Sequence, residues 1–106
     1  MSALVVTLPG LPATPTADQL VTRIRAISKE SDRLRFKHPH FQARLRLRRI
    51  NMRQVLETIR KGYPIGTPTL DEWGDWRIKL KRKAAGRTVQ VVVAVKADHI
   101  VAVTVI

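Results

Sequence analysis

Cysteine is absent from this chain. Its absence excludes a disulfide framework and a thiolate metal site, and it fits a reducing cytoplasm. The three histidines and eight acidic residues are scattered without metal-ligand spacing, so neither a metal nor another cofactor is expected. No apolar run approaches the ~20 residues of a membrane span. The opening Met-Ser-Ala-Leu-Val-Val-Thr-Leu-Pro-Gly carries no basic leader and too short an apolar stretch for a secretory signal. Acidic residues are few: 8 against 20 lysines and arginines, a net charge of +12 on 106 residues. A field of that size attracts polyanions, with RNA, DNA and anionic membrane as the candidates.

The basic residues are concentrated. Eight occur from Arg33 to Glu57 before the first acid, and six from Arg77 to Arg87 without one. Two separate basic segments, each carrying apolar residues, point to a folded face or cleft; a disordered basic tail would be contiguous and poor in apolar residues. Apolar content of 44% and this length suit one domain with a modest core.

Residues 1–15 read as an N-terminal arm or short edge strand, closed by Pro9, Gly10, Pro12 and Pro15. Residues 16–106 read as a single domain. Thr16 with Gln19 forms a capping box for a first helix carrying Leu20, Ile24 and Ile27 and ending near Lys29 to Asp32. Leu34 to Lys37 reads as a short extended link. Pro39 suits the first turn of a second helix running to about Arg49. Asn51 caps a third, with Val55, Leu56 and Ile59 inside and Gly62 closing it. Tyr63 to Gly74 reads as loop because Pro64, Gly66 and Pro68 interrupt it. From Trp76 the period becomes two: Trp76, Ile78 and Leu80 point one way, Arg77, Lys79 and Lys81 the other. Ala84 to Arg87 is a hairpin connection. Thr88 to Lys96 is a valine-rich central strand expected to be covered on both faces, and His99 to Ile106 is the last. The expected fold is α+β, with two to three N-terminal helices packed on a small twisted antiparallel sheet.

The densest chemistry lies in His40-Phe41-Gln42-Ala43-Arg44-Leu45-Arg46-Leu47-Arg48. On a helix, His40, Arg44 and Arg48 share one face within an arc of roughly 80°. Phe41 and Leu45 flank that arc on one side, and Ala43, Leu47 and Ile50 on the other. Inward-pointing arginines between apolar residues require a carboxylate or a phosphate. A buried salt bridge of Arg44 with Glu57 or Asp75 is the structural alternative, and a surface or capping role is the alternative for His40. Arg48 is solvated if the helix ends there.

The stretch from Ile24 to Gly62 resembles the bacterial family called domain of unknown function four-two-five-eight. The likeness rests on His40, Arg44, Arg48, Ile50 and Gly62, then on the basic strand Trp76 to Lys81, the valine strand Val89 to Val95 and the ending Val103-Thr104-Val105. It covers about residues 16–106. Arg49 stands where that family usually has glycine, and Asn51 where serine or threonine is common. Families of this type are grouped with the barnase–EndoU–colicin–RelE superfamily of metal-independent ribonucleases, many of them toxins of toxin–antitoxin pairs. The resemblance therefore implies a RelE/barnase-like fold, RNA as substrate and an acidic antitoxin as partner.

It also implies site roles. Metal-independent cleavage needs a base to take the 2′-hydroxyl proton, an acid for the leaving 5′-oxygen, and cations for the phosphate. His40 becomes the acid or base, with His38 as its alternative, and Arg44 and Arg48 become phosphate clamps. Thr104 becomes a site hydroxyl, against the ordinary structural role of a strand threonine. Arg77, Lys79 and Lys81 either complete a cationic cleft as substrate-binding residues or form a solvated edge. Trp73, Trp76 and Tyr63 are candidates for stacking on bases, with Trp76 favoured for the core by its alternation.

Overall fold

In the computed structural model, the described residues are 8, 10–37, 39–84 and 86–106. The elements are α1 (Ala17–Ser28), β1 (Leu34–Phe36), α2 (His40–Arg48), α3 (Met52–Lys61), β2 (Tyr63–Leu70), β3 (Trp76–Ala84), β4 (Arg87–Val95) and β5 (Ile100–Val105). Among the described residues the fold is α+β: three α-helices and one five-stranded sheet of order β1-β5-β4-β3-β2. The strands β2 to β5 form an antiparallel meander, and β1 adds to β5 in parallel, so the sheet is mixed. The arm lies outside the described residues, apart from Leu8, which is buried in the core, and Gly10 to Pro15.

Two capping boxes set the helix starts. Thr16 accepts from the Gln19 N–H while the Gln19 side chain accepts from the Thr16 N–H; Asn51 and Gln54 repeat the exchange at α3. Each box satisfies two donors that would otherwise have no partner at a helix end. Leu20, Ile24 and Ile27 of α1 and Val55 and Ile59 of α3 meet Ile78, Leu80, Val89, Val91, Val93 and Ile100 in one core. Burying each such side chain contributes about 1.5–3 kcal/mol. Polar bonds tie the two helices further: Arg25 Nη2 donates to the Gly62 carbonyl, and Arg60 Nε to that of Ser28, both at 3.1 Å.

Alternation along β3 and β4 separates two faces. Ile78 and Leu80 pair with Val93 and Val91 over the helices. Arg77, Lys79 and Lys81 pair with Ala94, Val92 and Gln90 on the other face. Val92 and Gln90 are only half-buried, so the valine strand is covered on one face by the helices and left partly open on the other, contrary to the expectation of cover on both.

Two segments outside the expected sheet, one read as an extended link and one as a loop, are strands. Leu34–Phe36 is the parallel edge strand, and Tyr63–Leu70 is the opposite edge. Pro64 and Pro68 are compatible with β2 because an edge strand has one side on which a missing N–H costs nothing. The irregularity they mark survives as a register shift between Ile65 and Thr69, beside Gly66 at φ +71°. At the α3–β2 junction, Gly62 is required by space, since a Cβ there would lie 2.3 Å from the Thr58 carbonyl oxygen; its own φ of −69° is ordinary.

Candidate functional site

The helix α2 begins directly after β1 and runs beside β5. Lys37 donates its N–H to the Ala102 carbonyl and accepts from Phe41 N–H, which joins the strand to the helix. Phe41 and Leu45 anchor α2 in the core, with Phe41 against the Phe36 ring at 5.1 Å between centroids. The other flank differs from expectation. Ile50 is buried, but Ala43 is exposed and Leu47 is 70% exposed. The histidine–arginine stripe therefore lies at the boundary between core and solvent, with apolar cover on one side only.

Within the stripe, Arg44 is half-buried and His40 and Arg48 are exposed. Arg44 Nε donates to the Val105 carbonyl at 3.2 Å. The Ile106 N–H points at Gln90 on β4, so the Val105 groups face the opposite, outer edge of β5, beyond the end of β1. Arg44 thus satisfies an edge carbonyl that β1 is too short to reach. Neither acid considered as its partner pairs with it: Asp75 holds Lys96, and Glu57 lies 3.9 Å from Arg82. Among the described residues no carboxylate is within ion-pair distance of Arg44, Arg48 or Lys79, and His40 makes no side-chain hydrogen bond. His38 lies outside the described residues.

Thr104 reaches the same carbonyl, its hydroxyl donating to Val105 O at 3.3 Å. Strict alternation from Ile100 and Ala102 would place Thr104 on the core face. A bulge prevents this. Val92 pairs with Thr104 and Val93 with Ala102, so Val103 is the extra residue. It turns Thr104 onto the open face while Val105 stays in the core. Thr104 and Val103 are consequently not on opposite faces as a regular strand would have them. One cross-strand row on the open face reads Ile65, Lys79, Val92, Thr104, with Arg44 at its end. At about 4.8 Å per strand, Lys79 lies roughly 10 Å from Thr104. Lys81 and Tyr63 form the adjoining row, with Tyr63 55% exposed.

Arg77 lies in the neighbouring row with Ala94 and Val101, and its Nε donates to Asp71 Oδ2 at 3.0 Å. Asp71 also organises its loop: its Oδ1 accepts from Trp73 N–H and Asp75 N–H, both at 2.9 Å. Burial pushes the Asp71 carboxyl up, but the hydrogen bonds from Asp75 N–H, Arg77 and Trp73 N–H outweigh it and hold it below the usual carboxylate range. Beside this loop is a shallow recess of about 260 Å³. Ala94, Val101 and Val103 line it together with Lys37, Arg77, Lys96 and Trp73. Lys37, Lys96 and Asp71 were not singled out from the sequence. The signal was present for Asp71, since an aspartate opening Asp71-Glu72-Trp73-Gly74-Asp75 is the residue that turns such a loop through its own side chain. Trp76 packs half-buried on the core, as its alternation indicates.

Among the described residues, His99 is the histidine with a carboxylate partner, Nδ1 lying 2.7 Å from Asp98 Oδ1. It sits before β5 begins, and Val105, which Arg44 caps, is at the strand's other end. Six residue steps along the strand separate them by roughly 20 Å, so His99 does not join that corner. Among the described residues no three histidine or acidic side chains gather as metal ligands, and no helix is long and apolar enough to cross a membrane.

The family model described as Domain of unknown function (DUF4258) matches residues 38–106, nearly two thirds of the chain. Searches of curated proteins and of solved structures return no match. The matched span takes in α2, α3 and the four antiparallel strands, and so contains the stripe, the bulge and the basic open face together. By that match the chain belongs to the DUF4258 family.

Proposed function

We propose that this protein is a metal-independent endoribonuclease, the toxin of a bacterial toxin–antitoxin pair, acting on RNA laid across the open sheet face. The observation that carries the reading is the corner where Arg44 and Thr104 meet on the Val105 carbonyl, at the edge of that basic face. Nε of Arg44 is engaged there, which fixes the guanidinium, while its terminal nitrogens have no carboxylate among the described residues. A fixed fork of that kind suits a phosphate. Arg48 follows one turn on as a second cation, and His40 precedes by one turn, about 6 Å along the axis.

In the reaction, the 2′-oxygen bonds to the adjacent phosphorus as its proton leaves, and the bond from phosphorus to the 5′-oxygen breaks. The products are a 2′,3′-cyclic phosphate and a 5′-hydroxyl. His40 supplies one of the two proton transfers, Arg44 and Arg48 stabilise the charge on the phosphate, and the Thr104 hydroxyl turns its one proton from the Val105 carbonyl to a phosphate oxygen. Membership of the superfamily of RelE-type toxins, which the resemblance of the sequence implies, would bring the same chemistry. An antitoxin would cover the cationic face with acidic side chains, and the setting would be the cytoplasm.

A second reading is a non-catalytic RNA-binding module. It is favoured by the absence, among the described residues, of a group that orients His40. The two readings separate in one assay. Wild type, His40→Ala and Arg44→Ala are each incubated with total RNA in chelator, and cyclic-phosphate ends are counted. Cleavage by wild type that falls roughly 10²–10⁴-fold in His40→Ala supports the enzyme. RNA bound but uncut by wild type selects the module instead.

A further inference from the structure

The recess beside the Asp71–Asp75 loop is built differently from the rest of the basic face. Trp73 is 66% exposed, yet its backbone is fixed. Asp71 Oδ1 holds its N–H, Asp71 N–H donates to the Asp75 carbonyl at 2.9 Å, and Gly74 takes the positive φ of +82° that the turn needs. The indole therefore belongs to an ordered loop. The floor of the recess, Ala94, Val101 and Val103, is apolar. Its rim is cationic, and the three cations are not equivalent. Arg77 is neutralised by Asp71 and Lys96 by Asp75, whereas Lys37 is exposed and has no ion pair among the described residues.

An apolar floor, an aromatic wall and one uncommitted cation do not describe a plain anion site, which would need donors on its floor. They describe a site for a flat ring carrying a nearby negative charge. At about 260 Å³ the recess is slightly smaller than sites for drug-sized ligands, roughly 300–1,000 Å³, which suits one base and its sugar. We propose that it holds a single unpaired RNA base stacked on Trp73, with Lys37 on an adjacent phosphate. A paired base has both faces covered by its neighbours and cannot reach an indole in this way.

This inference rests on the reading of the open face as an RNA site, and it adds a requirement for a single-stranded position. The recess row (Arg77, Ala94, Val101) and the corner row (Lys79, Val92, Thr104) are two residues apart along β3 and β4, about 6.7 Å, and three along the bulged β5. A base held in the recess therefore sets which phosphate reaches Arg44.

The test uses the full chain and a labelled single-stranded RNA, an abasic strand with the same phosphates, and a blunt RNA duplex, each titrated by anisotropy. The single strand should bind roughly 5–150-fold more tightly than the abasic strand. Trp73→Ala should remove that difference, and Trp73→Phe should restore most of it. In a Trp76→Phe background, the single strand should quench the Trp73 emission and the abasic strand should not. Equal binding of base-bearing and abasic strands, unchanged in Trp73→Ala, overturns the stacking site and leaves the RNA reading intact. Quenching by the duplex as strong as by the single strand overturns the unpaired-base requirement. Failure of every RNA to bind overturns the RNA reading itself.

Discussion

Arg49 closes α2 at φ 55° and ψ 45°, the left-handed region that side chains with a Cβ rarely adopt. Its N–H satisfies the carbonyls of Arg46 and Leu45, and its own carbonyl accepts from Arg87 Nη1 at 3.0 Å. The backbone does this work, so the side chain brings strain without a bond in return. Glycine, which adopts this region without a Cβ clash, would relieve it. Arg49→Gly should raise stability by about 0.5–1 kcal/mol and the melting temperature by roughly 2–8 °C. A lower melting temperature would mean that the exposed guanidinium contributes more than the conformation costs. Arg44 is the contrasting case at the same scale. Its side chain completes the outer edge of β5, so one residue both closes the fold and presents a cation at the corner.

Among the elements, the β2–β3 loop is organised chiefly by the Asp71 carboxylate. Asp71 binds two backbone N–H groups and Arg77, and its pKa lies below the ordinary value of 3.8. The sign follows from linkage: the carboxylate contributes stability that is fully present above the unfolded value and is lost as pH falls through the lower folded value. Asp71→Asn should therefore be less stable than wild type at neutral pH, and the gap should shrink below about pH 3.8 in acid-unfolding curves. A gap that stays constant with pH would contradict the assigned role. The three helices were legible in the sequence because Thr16 with Gln19, Pro39 and Asn51 are local start signals that tertiary packing did not override. β3 and β4 were legible through alternation. β1 has three residues, too few for a period, and forms because β5 offers an edge beside it. β2 was hidden by its prolines, which report on hydrogen bonding at one edge and not on extended backbone as such. The bulge at Val103 was invisible because it depends on the register of β4 against β5. That register alone decides the face of Thr104 and hence whether the corner exists.

At the scale of the whole molecule, the helices cover one face of the sheet and leave the other with Arg77, Lys79 and Lys81 among half-buried apolar residues. The sequence named the His40, Arg44 and Arg48 stripe and these strand cations separately. Their relation required the fold: Arg44 adjoins Thr104, Lys79 lies two strands along the same row, and Arg77 belongs with the recess. Cations are not confined to this face. Arg53 and Lys61 on α3 are also exposed to solvent, on the far side of the core. Net charge alone would let either side attract RNA, whereas the proposed site confines contact to the open sheet face. The most direct measurement is the salt dependence of single-stranded RNA binding. Each lost phosphate contact lowers the slope of log K against log salt by roughly 0.7. Lys79→Gln with Lys81→Gln should reduce it by roughly 1.4, and Arg53→Gln with Lys61→Gln should leave it unchanged. The reverse pattern, or equal reductions by both pairs, would contradict the account.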